Sequence, residues 1–316
     1  MAMYAVTDQP HGIMFHHFHG EGYAPSQGSI SSDDLHRLLD YIGVDKILPA
    51  DEFERRAISK QLAPADLCLT FDDCLRCQFD IALPILESAG LTAFWFLHTA
   101  VFDGNPELTE IYREFRHHYF RSIDDFYDAF ETALHSSPYA AEAAAKLVGF
   151  EPDEYLKGFS FYSTRDRWFH YVRDQVLRRE RYTTFMDQMI VDHGMDVDQY
   201  LGEIWMDPAQ IKHLHQRGHV VGLHSHTHPT RLAHLPAEEQ KLEYHKNAEW
   251  LRQISGSNAQ SMSHPCNSYD GNTLNILETM GVKIGFRSNM ADLESRTDLE
   301  FPRQDHANLM RQIGAR

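Results

Sequence analysis

Leu67-Cys68-Leu69-Thr70-Phe71-Asp72-Asp73 is an apolar run that stops on two adjacent carboxylates. Far along the chain a second apolar run, Val220-Val221-Gly222-Leu223, stops on His224-Ser225-His226-Thr227-His228-Pro229. Both runs read as buried strands. A carboxylate and two imidazoles at strand ends are ligand types for a divalent first-row cation, and a catalytic site of that kind keeps a position open for water. Asp73, His224 and His228 supply three ligands. A cation there lowers the pKa of a water to about 7, and Asp72 is left over as its proton acceptor. An Asp-Asp pair is more often a turn or helix cap, and a His-x-x-x-His is often a surface helix pair. Here both follow strongly apolar strands, and Pro229 opposes helix continuation. The pattern predicts a metal-dependent hydrolase. His226, pointing away in an extended segment, is expected not to be a ligand.

Composition narrows the reading. At 316 residues the chain buries a full-sized core in one large domain, or in one domain with an elaborate insertion. A net charge of -17 argues against nucleic acid as a partner, because phosphate contacts need a basic face. No apolar run approaches the roughly 18 residues of a membrane span. Met1 to Pro10 has neither the basic region nor the apolar core of a secretory signal. The four cysteines, Cys68, Cys74, Cys77 and Cys266, are too few and too clustered for a disulfide framework. These features predict a cytoplasmic protein. Cys74-x-x-Cys77 lacks the second ligand pair of a structural zinc site and reads as small residues at a helix start.

The remaining elements alternate. His11 to His19 reads as a strand, and Ser31 to Asp34 caps a helix with Leu35, Leu38, Leu39 and Ile42 on one face. A helix through Phe79, Leu83, Ile85 and Leu86 closes at Gly90. Strands follow at Leu91–Leu97, His219–Leu223, Ser261–His264 and Val282–Phe286, with a last one beginning at Phe301-Pro302-Arg303. Helices occupy Asp207 to Arg217, Pro236 to Ile254 and Gly271 to Met280. Such alternation predicts an α/β chain with a parallel sheet or barrel, and Asp72-Asp73, His224, His228, His264–Asn267 and His16-His17 all fall at strand ends, where barrels keep their chemistry. Residues 101–204 carry helical periodicity without strand signals. The domain organisation predicted is therefore a barrel from 1–100 and 205–316, with 101–204 as a helical insertion.

Thr70-Phe71-Asp72-Asp73 and Gly218-His219-Val-Val-Gly222-Leu-His224-Ser-His-Thr-His228-Pro229 resemble the first two motifs of the polysaccharide deacetylases, carbohydrate esterase family four, also described as the NodB-homology domain. The resemblance implies a distorted (β/α) barrel and metal-dependent hydrolysis of an N-acyl group, acetyl or formyl, on an amino sugar. It implies Asp72 as general base and Asp73, His224 and His228 as ligands of one divalent ion. Zinc leads, with cobalt, nickel or manganese behind. The resemblance is that of a divergent member. Where the family's third motif carries an Arg and an aromatic-Gly pair, this sequence has Ser263-His264-Pro265-Cys266-Asn267-Ser268-Tyr269. Pro265 fits, Cys266 and Asn267 take the aromatic and Gly positions, and the Arg is missing. The backbone N–H of Cys266 still suits an oxyanion, and Arg303 is the candidate to orient Asp72. No clear Leu-x-His stands near the C-terminus. In the biofilm poly-N-acetylglucosamine deacetylases, which resemble a permuted form of the family, the general acid follows an aromatic residue on the first strand. Phe15-His16 matches, so His16 is the expected acid, with His17 and His306 behind it.

The insertion bears on substrate. Long additions to barrel loops commonly form lids or binding surfaces. Lys157 to Arg181 reverses the chain's charge, with seven basic residues, Arg165, Arg167 and Arg173 among them, against Asp166, Asp174 and Glu180. A solvated helix face paired to nearby acids explains this, and so does a site for phosphate or carboxylate. The expected substrate is a small nucleotide-linked, lipid-linked or free amino sugar of surface-glycan synthesis, such as lipopolysaccharide O-antigen. The alternatives are a chitin-like or poly-N-acetylglucosamine polymer and, in another class, a carbohydrate-binding protein with a decayed site. The intact ligand set argues against the last.

Overall fold

Continuous apolar runs suit strands covered on both faces, and Leu67–Asp72 is buried at every position. The computed structural model describes residues 4, 8–156, 162–293 and 296–314. Met1–Met3, Ala5–Thr7 and Lys157 of the basic segment lie outside these. In chain order the elements are β1 (His11–Phe15), α1 (Ser32–Ile42), α2 (Ala50–Ile58), β2 (Leu67–Asp72), α3 (Leu83–Ser88) and β3 (Phe94–Leu97). Then come α4 (Leu108–Glu114), α5 (Ile123–His135), α6 (Ala140–Leu147), α7 (Thr164–Tyr171), α8 (Arg178–His193) and α9 (Val197–Ile204). The chain continues through α10 (Pro208–Gln216), β4 (Val220–Leu223), α11 (Ala237–Ser255), β5 (Ser261–Ser263), α12 (Gly271–Thr279), β6 (Ile284–Phe286), β7 (Arg303–Asp305) and α13 (His306–Gln312).

The chain divides into two compact units, Met1–Glu107 with Leu201–Arg316, and Leu108–Tyr200. The first holds the sheet. All its strands pair in parallel, in the order β6-β5-β4-β3-β2-β1-β7. The sheet curls until Phe286, at the end of β6, bridges Phe301, two residues before β7. The result is a nearly closed seven-stranded barrel with helices around it. Two glycines allow the curl. A Cβ on Gly222 would lie 2.7 Å from both the Phe96 ring and the Ser261 carbonyl, and one on Gly285 would lie 2.6 Å from the Leu299 carbonyl. α2 lays Phe53 edge-on to Phe94 and Phe301 and beside Phe286, in a core with Cys68, Phe96 and Ile284. Burying a ring of this size contributes about 2–3 kcal/mol.

β3 is shorter than its apolar run predicts. Thr92 and Ala93 are drawn off by side-chain bonds: Ala50 N–H donates to Thr92 Oγ1 at 2.9 Å, and Ala93 N–H donates to His219 Nδ1 at 3.0 Å. The second bond requires a neutral imidazole with its lone pair on Nδ1. Burial pushes His219 down to about 4. Since its folded pKa lies below the unfolded value, it stabilises the fold at neutral pH, and the contribution is lost as pH falls below about 6.5. Its loss should cost roughly 2 kcal/mol between pH 7 and pH 5. The fall in thermal midpoint over that range should shrink in His219→Asn, and an unchanged fall would remove His219 from the account.

The second unit, Leu108–Tyr200, is helical and packs around aromatic rings. Phe126, Phe130 and Phe169 lie within 5.8 Å of one another, centre to centre. Two of its turns widen to π-helical geometry, at Phe115–Tyr119 and Val172–Leu177. Among the described residues, no helix is long and apolar enough to cross a membrane.

Candidate active site

The strand ends bring together the polar residues that the two motifs carry. β2 delivers Asp72, and the chain turns at once through Asp73 and Cys74, both with positive φ. β4 delivers His224, followed by Ser225 and His228, again with positive φ, and β5 leads into Cys266 and Asn267, likewise. These six are two-thirds of the nine non-glycine residues with positive φ among the described residues. Such geometry is uncommon for residues with a Cβ and gathers at functional sites. Here it turns the side chains back across the strand ends. The turns are held by polar partners: Asp73 N–H donates to the Phe96 carbonyl at 3.1 Å and His228 N–H to Ser225 Oγ at 3.2 Å.

Asp73, His224 and His228 form the group whose ligand atoms converge, all within 4.8 Å of one another. His224 Nε2 lies 3.3 Å and His228 Nε2 3.5 Å from Asp73 Oδ1. That carboxylate oxygen is buried and accepts no hydrogen bond. An orphaned buried anionic oxygen is costly, and a divalent cation facing two imidazole nitrogens is what satisfies it. His224 Nδ1 lies 2.9 Å from the Ser263 carbonyl and 2.7 Å from Ser263 Oγ. A carbonyl only accepts, so Nδ1 carries the proton and the Nε2 lone pair is turned to the site. Such outer bonds are how metal-binding histidines are oriented. The residues therefore fit a cation. Burial raises the Asp73 carboxyl, but His224, His228 and His16 outweigh it and hold it well below the usual range. Burial lowers His224, and Asp72 and Asp73 outweigh it, so its pKa is raised. Proton and cation compete for the same atoms.

Asp72 is gripped from behind. Arg303 Nη1 and Nη2 donate to its Oδ1 and Oδ2, each at 2.7 Å, and both side chains are almost fully buried. Ser263 Oγ donates to Oδ1 at 3.2 Å. Oδ2 is the oxygen turned to the site, 4.0 Å from His224 Nε2 and 3.8 Å from His16 Nε2. Burial raises the Asp72 carboxyl, while Arg303, His224 and His16 outweigh it and leave it below the usual carboxylate value. Arg303, on β7, thus lies where it orients Asp72.

His16 is part-exposed and faces both carboxylates, 3.9 Å from Asp73 Oδ2. His17 leaves the sheet with its carbonyl taken by the Ile30 amide. His306 is buried, its two ring nitrogens against the carbonyls of Met14 and Gly28, so its ring is committed to the scaffold. His226 is turned away to Thr99 Oγ1 at 3.0 Å. Beyond β5, Pro265 is buried and Cys266 exposed. The amides of Asn267 and Ser268 are spent on the carbonyls of His264 and Pro265, which leaves that of Cys266 in the turn, and Asn267 Oδ1 accepts from Ser288 N–H. In the second unit Arg165 pairs with Asp124 and Asp128, Arg167 donates to the carbonyls of Tyr162 and Tyr155, and Arg173 pairs with Asp174.

Sequence reasoning missed the polar supports. Asn247, in α11, accepts from His224 N–H at 2.9 Å and donates to the Leu97 carbonyl at 2.8 Å. Glu243 accepts from the amides of His226 and Thr227. Gln78 ties the carbonyls of His16 and Asp72 together. His98, just beyond β3, lies with its ring 5.6 Å from that of His228.

Residues 178–285 match the polysaccharide deacetylase family, a stretch that takes in His224 and His228 but not Asp72 or Asp73. No curated protein sequence gives a significant match. Solved structures do. The Streptococcus pyogenes deacetylase PplD in complex with acetate is 16% identical, over 97% of this chain and 98% of its own, with a TM-score of 0.54. IcaB from Ammonifex degensii is 14% identical, over 96% of this chain and 93% of its own, at 0.53. The BpsB deacetylase domain from Bordetella bronchiseptica is 14% identical, over 95% and 96%, at 0.50. Identities this low speak for the fold. The family match is confined to residues 178–285, and the likeness to the solved deacetylases, along nearly the whole chain, is one of fold.

Proposed function

We propose that this chain is a metal-dependent amidohydrolase that removes an N-acyl group, acetyl or formyl, from an amino sugar. The observation that carries the reading is the convergence of Asp73 Oδ1, His224 Nε2 and His228 Nε2 beside Asp72. A divalent cation held there, zinc first by its donor set, supplies Lewis-acid polarisation of the acyl carbonyl and acidifies a water. Asp72 Oδ2 is placed to take the proton of an attacking water. Arg303 on both oxygens keeps that carboxylate ionised and so able to accept a proton. Ser263 and Arg303 keep the carboxylate from turning. The Cys266 amide donates to the oxygen of the tetrahedral centre. His16, at the open side of the carboxylates, protonates the leaving amine. The substrate proposed is a small nucleotide-linked, lipid-linked or free amino sugar, on the strength of the excess of basic over acidic residues from Lys157 to Arg181 in the sequence.

Purified chain should hold one divalent ion, measured by elemental analysis. Alanine at Asp73, His224 or His228 should lower occupancy sharply, and His226→Ala should not. Full occupancy in His228→Ala would sink the ligand set. Acyl release should be followed on N-formyl and N-acetyl monosaccharides and on chitin-like and poly-N-acetylglucosamine chains. Release from the polymers alone would replace the small-substrate reading, and no release from any substrate by metal-loaded chain would end the hydrolase reading.

A further inference from the structure

The two π-helical turns of the Leu108–Tyr200 unit carry Arg116 and Arg173. Turns of this kind are rare and occur often at functional positions. Arg116 lies with its guanidinium carbon 5.1 Å from the centre of the Phe169 ring, and Nη2 is 3.3 Å from His117 Nε2. Its Nε is buried with no acceptor, and the guanidinium meets no carboxylate among the described residues. His170 follows Phe169 in sequence. It is 6% exposed, and its Nδ1 too is buried without a partner. The His170 ring packs 4.6 Å from Tyr162, and Phe169 lies 6.2 Å from Tyr182. The charge of Arg116 acts on the Tyr182 phenol. Arg173 borders the same group but is neutralised by Asp174, which takes both its Nε and Nη2.

A guanidinium whose Nε–H has no acceptor and a buried imidazole whose Nδ1 has no partner, set among aromatic rings, form an arrangement that costs stability as it stands. Each buried donor left unsatisfied costs about 1–3 kcal/mol, and such groups call for a partner such as an ion. Arg over Phe169 is in part a cation–π contact, but that contact uses the face of the guanidinium and leaves the in-plane Nε–H unspent. Two planar groups, both within 5.6 Å of the Phe169 ring and each keeping an unspent nitrogen, match an oxyanion. Burial first, and then Arg173 and Arg116, push His170 down to about 4, with Asp174 and Asp166 offsetting them only in part.

We infer that Arg116, His170 and Tyr182 form a binding site for an oxyanion, of phosphate or carboxylate type, within the helical unit. The site stands whether or not the barrel hydrolyses amides, because all its residues belong to Leu108–Tyr200.

The test uses the full chain and a local readout, the His170 imidazole resonances, assigned with His170→Gln. Inorganic phosphate and acetate are titrated separately to about 10 mM, tenfold above a millimolar Kd. The expected result is saturable movement of the His170 signal with at least one of them, and the one that binds names the anion class. In Arg116→Gln the affinity should fall about tenfold or more, the weight of one charge-assisted hydrogen bond. Arg116→Lys, which keeps the charge without the planar fork, should fall between. Anions at the barrel's metal ligands would leave the His170 signal unmoved. No movement with either anion in the unsubstituted chain overturns the site, as does equal affinity in folded Arg116→Gln. Should Arg116→Gln not fold, the unsubstituted chain and Arg116→Lys decide: saturable movement with weaker binding in the lysine variant supports the site, and equal binding overturns it.

Discussion

Asp72→Asn is expected to keep its metal and lose kcat by about 10²-fold or more, the ordinary weight of a general base. The amide retains the shape of the carboxylate but takes no proton through Oδ2, the oxygen turned to His224 and His16. The substitution also alters the scaffold. Arg303 donates to both Asp72 oxygens from a fully buried position, and an amide answers only one of those donors. A lower thermal midpoint should therefore accompany the lost rate. The two effects separate cleanly when kcat is measured on chain shown to be folded and metal-loaded. Unchanged kcat under those conditions would move the base to another residue.

Arg303→Met should destabilise the fold by about 3–5 kcal/mol, because it strands the buried Asp72 charge. Replacing both partners at once, Asp72→Asn with Arg303→Met, should cost less than the two single changes summed, since no buried charge is left alone. Chemical denaturation of the four proteins gives the coupling. Strict additivity would mean that the two side chains do not sense each other. That outcome would contradict the bidentate geometry.

The strand-end motifs are legible because everything they need is local. Each apolar run ends where its polar residues begin, so Asp72, Asp73, His224 and His228 are placed by their own neighbours in sequence. Barrel alternation is legible for the same reason. Strand starts are not. β3 begins late because Ala93 N–H is claimed by His219, 126 residues on. Asn247 and Glu243 sit in a helix rich in charge, where each reads as solvent-facing until α11 is laid against β4 and the turn after it. The positive φ angles at Asp73, Cys74, Ser225 and His228 carry no glycine to announce them. The oxyanion site escaped because Arg116 lies outside the basic run, while Arg165 inside it is absorbed by Asp124 and Asp128.

Arg303 and Asp72 lie 231 residues apart in the chain, and this separation sets an order on biosynthesis. A chain emerging from the ribosome presents Asp72 early and its counter-ion near the end. Until β7 is made and docks beside β1, the carboxylate has no buried cation to face and favours water over the interior. Domains generally fold as units during synthesis, and here the last strand supplies the charge that lets the second one be buried. The catalytic half of the barrel therefore waits on its final turn of sequence, and premature chain termination anywhere before Arg303 leaves a strand pair that resists closing.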